Sequence, residues 1–203
     1  MGLRFIGITG GVGAGKSEIL KYIEKNYRCE IYLADEVAKE IQQAGTECFR
    51  KLVELLGDDV VGADGQLDRK RMAQKIFVDE NLLTGVNGIV HPAVTEYLLE
   101  HYERAKENPE IELFFVEAAL LIETGYKNIV DEMWYIYADD PTRIRRLREA
   151  RGYDEEKSRS IMSNQLSETA FREACDFVID NSGELSETYR QIDERLRGYT
   201  ALA

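Results

Sequence analysis

Five short apolar runs rich in β-branched and aromatic residues punctuate the chain, at residues 3–9, 29–33, 111–116, 133–138 and 177–179. Stretches of helical spacing separate them. Runs of this length with helices between them predict a parallel sheet joined by crossovers, because parallel neighbours need a long return connection. Residues 34–109 are far too many for one crossover, and no run within them reads as a strand. They predict an inserted helical lobe with helices over 35–43, 46–56, 68–78 and 92–108, separated by Gly-Asp-Asp and Ala-Asp-Gly-Gln turns. Pro92 is expected in the first turn of the last helix, where a missing amide hydrogen costs nothing. The longest apolar run, residues 113–122, is interrupted by Glu117 and is too short to cross a bilayer. The pattern therefore predicts an α/β fold: a five-stranded parallel sheet with a helical insertion.

Between the first run and the helix that follows, residues 10–17 read GGVGAGKS. This is a glycine-rich phosphate loop in its proper context, strand before and helix after. Its glycines let several amide hydrogens of Gly11, Val12, Gly13, Ala14 and Gly15 converge on one anion, and the helix adds its positive end. Lys16 is expected to reach the outer phosphates of a nucleotide, and the Ser17 hydroxyl is suited to magnesium, a hard ion that prefers oxygen. A loop that merely turns the chain would explain the glycines but not the Lys-Ser ending.

Composition narrows the partners. With 203 residues and 44% hydrophobic content the chain can bury one substantial core and carry a small lobe. Its net charge of −12 argues against an extended nucleic-acid surface, which needs a basic stripe, but not against a mononucleotide held by a few convergent cations. The three cysteines, Cys29, Cys48 and Cys175, show no metal-ligand spacing and are expected as reduced thiols. No secretory leader is read at the N-terminus, so a soluble cytoplasmic protein is expected.

A second cationic concentration comprises Arg143, Arg145, Arg146, Arg148 and Arg151, directly after Asp139-Asp140-Pro141-Thr142, a helix-start signal. Arginines at this density can clamp phosphates. The alternative is a solvated helix face paired with Glu149, Asp154 and Glu155. Gly152 would let this helix end and bend, as a lid does, and a lid would keep water away from a phosphoryl group in transit.

Taken together, these residues resemble the dephospho-coenzyme A kinases, a family of P-loop small-molecule kinases. Besides the phosphate loop, the matching stretches are Ala34-Asp35, Asp64-Gly65-Gln66-Leu67-Asp68-Arg69, His91-Pro92, Leu120-Leu121-Ile122-Glu123-Thr124-Gly125, Gln165 and Asp176-Phe177-Val178-Ile179-Asp180-Asn181. The resemblance covers nearly the whole chain. It implies a three-layer core from residues 1–33, 110–140 and 165–203, a dephospho-coenzyme A-binding insertion at 34–109 and a helical lid at 141–164. It also implies transfer of the ATP γ-phosphate, with magnesium, to the ribose 3'-hydroxyl of dephospho-coenzyme A by a monomer.

The resemblance further implies roles for individual residues. Asp35 would orient the acceptor hydroxyl and take its proton, with Lys16, Arg143 and Arg146 neutralising charge. Read locally, Asp35 also fits a helix N-cap. Arg151 and Asn181 would lie with the nucleotide, although Asn-Ser-Gly is itself a turn signal. His91, Glu117 and Leu120 fall on the acceptor side, and a lone histidine is as readily a structural hydrogen-bonding residue. The chain departs from the family where Leu33 replaces an aspartate, Glu117 replaces another, and Ala119 replaces a proline. Glu117 is one methylene longer, which implies looser metal geometry, and Ala119 implies a more mobile loop. Two other readings stay open on sequence: a kinase of the same fold acting on a sugar or nucleoside, and a non-catalytic nucleotide switch.

Overall fold

The strands are β1 (Arg4–Thr9), β2 (Cys29–Leu33), β3 (Leu113–Glu117), β4 (Glu132–Tyr137) and β5 (Phe177–Asp180), each within two residues of the expected run. In the computed structural model, which describes residues 2–200, they form one sheet in the order β2-β3-β1-β4-β5. β1 runs parallel to both β3 and β4, and β4 runs parallel to β5. From β1 the chain turns towards one edge of the sheet, and from β4 towards the other. The two directions diverge at the carboxyl ends of β1 and β4, the place where open α/β sheets bind their ligands.

By internal contact the chain divides into two units. One runs to Ile31 and resumes at Arg104; the other is Tyr32–Glu103. In the first, alternation along the strands sends side chains to opposite faces. Ile6, Ile8, Leu113, Phe115, Trp134, Ile136 and Ile179 meet Ile19, Leu20 and Ile23 of α1 (Lys16–Asn26) and Ile192 and Leu196 of α9 (Leu185–Leu196). Phe5, Phe114 and Tyr135 point the other way, where Tyr135 stacks on Phe171 of α8 (Glu168–Ala174) with ring centroids 4.6 Å apart. Trp134 Nε1 is buried without a hydrogen-bond partner among the described residues, and its ring meets Phe115 and Phe177 edge-on. Carboxylates fasten two strand starts: Asp131 accepts from the Phe5 amide at 2.9 Å, and Asp176 from the Met133 amide at 2.8 Å.

The second unit contains α2 (Ala34–Ile41), α3 (Glu47–Leu56), α4 (Arg69–Val78) and most of α5 (Glu80–Lys106). Side-chain caps explain three of the starts: Thr46 accepts from the Phe49 amide, Asp68 from Lys70 and Arg71, and Asp79 from Asn81 and Leu82. α5 corrects the sequence expectation, for it begins twelve residues before Pro92 and carries the proline inside the helix. Gly85, Gly88 and Pro92 argue locally against such a helix. What sustains it is a stripe of Leu82, Val86, Ile89, Val90 and Ala93 at helical spacing, packed with Cys48, Leu52, Leu56, Val60 and Met72. Between α3 and α4 the chain also makes a short turn with one antiparallel bridge, Val61 to Leu67.

One buried carboxylate in the first unit is held by an arginine and a tyrosine hydroxyl. Glu132, at the start of β4, is 3% exposed. Arg195 of α9 grips its Oε1 through Nη2 and through Nε at 2.6 Å, and the Tyr199 hydroxyl donates to Oε2 at 2.9 Å. Arg195→Leu strands that carboxylate and is expected to cost about 3–5 kcal/mol. Urea denaturation checks this: the double variant Glu132→Leu/Arg195→Leu should recover much of the loss, whereas an unchanged midpoint in the single variant would show the pair to be dispensable.

Candidate active site

The phosphate loop joins β1 to α1 at this point of divergence. Gly15 stands at the helix entrance with φ 90°, a conformation that L side chains avoid, and a Cβ there would come within 2.4 Å of Asn181 Nδ2. The amides of Gly13, Gly15, Lys16 and Ser17 donate to no atom of the described residues. They and the start of α1 make a cluster of donors suited to an anion. Lys16 Nζ donates to the Gly10 carbonyl at 2.8 Å and lies 3.5 Å from Glu117 Oε1. Ser17 is exposed in the first turn of α1.

While these amides are open, the carbonyls of Val12 and Ala14 are engaged. They are held by residues more than a hundred positions away, two of them on α6 (Asp140–Arg151). Asp139 caps this helix by accepting from the Thr142 amide, which turns Arg143 and Arg146 towards the loop. Arg143 Nε donates to the Val12 carbonyl at 2.9 Å, and Arg146 Nη1 donates to the Ala14 carbonyl at 3.2 Å. Arg146 also donates to the Asn181 carbonyl. Burial lowers both guanidinium pKa values, and for Arg146 the nearby Arg145 adds to the effect; both groups remain cationic. Arg145, Arg148 and Arg151 are exposed, and Arg151 lies over the Tyr153 ring at 5.9 Å. The arginine cluster thus divides into two inward residues and a solvated remainder.

Asn181, expected to lie with the nucleotide, has its side chain turned into the fold. It is 1% exposed, donates through Nδ2 to the Ala14 carbonyl at 2.7 Å and accepts from the Thr188 hydroxyl at 3.0 Å. Its side chain supports the loop from behind. Glu117 ends β3, and its carboxylate reaches Lys16 despite the extra methylene. The loop beyond it is tied to β1, with Ala118 donating to the Ile8 carbonyl and Thr9 to the Ala119 carbonyl. Leu120 is 53% exposed, while Leu121 fills the core.

Sequence reasoning gave Gln165 no role. The residue follows α7 (Glu155–Ser163), and its Oε1 accepts from the Val12 amide at 3.1 Å and from Arg143 Nη2 at 2.6 Å. Gln165 and Arg143 also line a cavity of about 720 Å3 together with Tyr135, Tyr137, Arg159 and Phe171. Burial raises the Tyr135 pKa to about 12, so its hydroxyl stays protonated. Gly152 ends α6 with φ 65°, and α7 begins after the Asp154 cap.

In the other unit, Asp35 occupies the first turn of α2, one residue beyond the first helical position. The helix is capped by Leu33, which gives no side-chain bond, so the N-cap reading of Asp35 fails. Its carboxylate is exposed and has no hydrogen-bond or ion-pair partner among the described residues. His91 is exposed on α5, next to Pro92.

Comparison with known proteins extends the match along the chain. A family model described as dephospho-CoA kinase matches residues 4–187. A dephospho-CoA kinase of Shouchella clausii is 32% identical over 191 residues, covering 94% of this chain and 96% of its own length. A crystal structure from Thermus thermophilus superposes with a TM-score of 0.79 at 27% identity, covering 99% of this chain and 100% of that one. The dephospho-CoA kinase of Campylobacter jejuni has the same fold, with a TM-score of 0.69 at 20% identity over 97% of this chain and 98% of its own. Because the matched residues 4–187 take in all five strands and the whole of the second unit, the chain belongs to the dephospho-CoA kinase family.

Proposed function

We propose that this chain transfers the γ-phosphoryl group of ATP to the ribose 3'-hydroxyl of dephospho-coenzyme A, giving ADP and coenzyme A. The observation that carries this reading is the family match over residues 4–187, across a phosphate loop whose Gly13, Gly15, Lys16 and Ser17 amides remain open while its Val12 and Ala14 carbonyls are held. In phosphoryl transfer the protein has little covalent chemistry to perform, so positioning and electrostatic stabilisation account for most of the rate.

The loop amides and Lys16 receive the β- and γ-phosphates. Before that, Lys16 rests on the Gly10 carbonyl and near Glu117, both of which it can exchange for phosphate oxygens by rotating its side chain. Arg143 and Arg146 act on the phosphates through the loop: their contacts fix the Val12 and Ala14 carbonyls, and their charge raises the local potential. Asp35 orients the acceptor hydroxyl and takes its proton as the new bond to phosphorus forms. The Ser17 hydroxyl and the Glu117 carboxylate are hard oxygen donors of the kind magnesium takes, and they would hold it. When bound, the ion neutralises polyphosphate charge. The exposed Leu120 and His91 lie on the acceptor side in this reading, and Arg151 on the nucleotide side.

We further infer a cytoplasmic monomer that binds neither nucleic acid nor membrane. A net charge of −12 supports this, since it repels polyanions and anionic lipid alike. Among the described residues no helix is long and apolar enough to cross a membrane. Burial raises the Cys29 thiol pKa to about 12 and that of Cys175 to about 11, as in unreactive reduced cysteines.

The direct test is ADP release with MgATP, measured with and without dephospho-coenzyme A, the product being identified by mass. Acceptor-dependent release with a product one phosphate heavier is the expected result. Hydrolysis indifferent to the acceptor would assign the fold another role. Lys16→Ala is expected to lower kcat by about 100-fold or more, since the contact strengthens in the transition state; near-normal turnover in this variant would remove Lys16 from the mechanism. Asp35→Asn should lower kcat by about 100-fold to 10,000-fold while leaving the ATP dissociation constant within about twofold. Equal loss of ATP binding would give Asp35 a structural role instead.

A further inference from the structure

We propose that Gln165 is a positioning residue for the phosphate loop, holding both the loop tip and Arg143 in the arrangement that receives the polyphosphate. This rests on the kinase reading above. Gln165 Oε1 takes two hydrogens, one from the Val12 amide at 3.1 Å and one from Arg143 Nη2 at 2.6 Å. Arg143 then returns to the same loop residue through Nε, donating to the Val12 carbonyl at 2.9 Å. The two side chains and Val12 close a ring in which both polar groups of Val12 are satisfied and the guanidinium is fixed in orientation.

The ring is pressed close to the loop. A Cβ on Gly11 would lie 2.4 Å from Arg143 Nη2 and 3.0 Å from Gln165 Oε1, so the clasp needs a glycine there. With Val12 held from outside, the loop cannot rotate its tip carbonyl towards the anion site, where it would repel phosphate oxygens. Gln165 is itself anchored, since its backbone amide donates to the Met162 carbonyl at the end of α7. The position of α7 is therefore transmitted to the phosphate loop through one side chain.

The residue type matters electrostatically. A carboxylate at 165 would offer the same acceptor oxygens but would neutralise Arg143 beside a site that must take a highly charged anion. An amide organises the cation without cancelling it. A leucine would fill the volume and leave both the Val12 amide and one Arg143 donor without a partner in a half-buried place.

The test compares Gln165→Leu and Gln165→Glu with the unaltered chain in three measurements: melting temperature, MgATP affinity by calorimetric titration, and steady-state kinetics with each substrate varied. Gln165→Leu is expected to keep its melting temperature within a few degrees, weaken MgATP binding about tenfold and lower kcat/KM for ATP by about 10-fold to 100-fold. Its KM for dephospho-coenzyme A at saturating ATP should stay within about twofold of normal, the split expected of a group acting on the loop alone. Gln165→Glu keeps the acceptor and should recover part of the lost affinity, more so at high salt, where the added charge is screened. The proposal is overturned if Gln165→Leu binds MgATP normally, if it loses both substrates in equal proportion along with its fold, or if Gln165→Glu is no better than leucine at any salt concentration. Because MgATP titration does not involve the acceptor, an unaltered chain that binds MgATP but ignores dephospho-coenzyme A would refute the assigned reaction while still testing Gln165.

Discussion

A short backbone loop can bind a polyphosphate only if its amides converge and its carbonyls are kept away, and that constraint organises the first unit of this protein. The carbonyls of Val12 and Ala14 are held by Arg143, Arg146 and Asn181, and the Val12 amide by Gln165. A flexible glycine-rich loop would otherwise sample many shapes and lose entropy on binding. Here much of that ordering is built into the fold. The loop is fixed by donors on its outer side, which leaves the amides of Gly13, Gly15, Lys16 and Ser17 for an anion.

The sheet explains why such distant residues meet. β1 lies at the centre with β3 on one side and β4 on the other, so the segments leaving β1, β3 and β4 emerge side by side. β4 feeds α6, which carries Arg143 and Arg146, and β5 ends next to Asn181. The apolar faces that seal the sheet against α1 and α9 fix these exits relative to each other. Packing far from the chemistry thereby sets distances at the loop.

The arginines show how a functional motif and a structural one coincide. Their density after β4 reads as a phosphate clamp, yet in the folded chain two of them grip loop carbonyls and the others are solvated. A cation that organises a phosphate site from behind still raises its potential, so the two roles reinforce each other. Asn181 is different, because its amide is consumed in the joint between Ala14 and Thr188. Asp35 is the converse case: the fold gives its carboxylate no capping duty, and it stays exposed in the first turn of α2.

The sequence by itself determined the five strands, the phosphate loop and the family, because each is written in consecutive residues. Apolar runs specify strands, and the GGVGAGKS segment contains its own turn chemistry. It missed the first half of α5, since Gly85, Gly88 and Pro92 oppose a helix locally and the stripe from Leu82 to Ala93 acts only once packed against α3 and α4. Only the tertiary structure decided which arginines turn inward, that Asn181 supports the loop, and that Gln165 has a role there. Those contacts join residues 131, 153 and 167 positions apart. No local pattern specifies such pairs, because the sheet brings them within hydrogen-bonding distance only after its strands have been ordered.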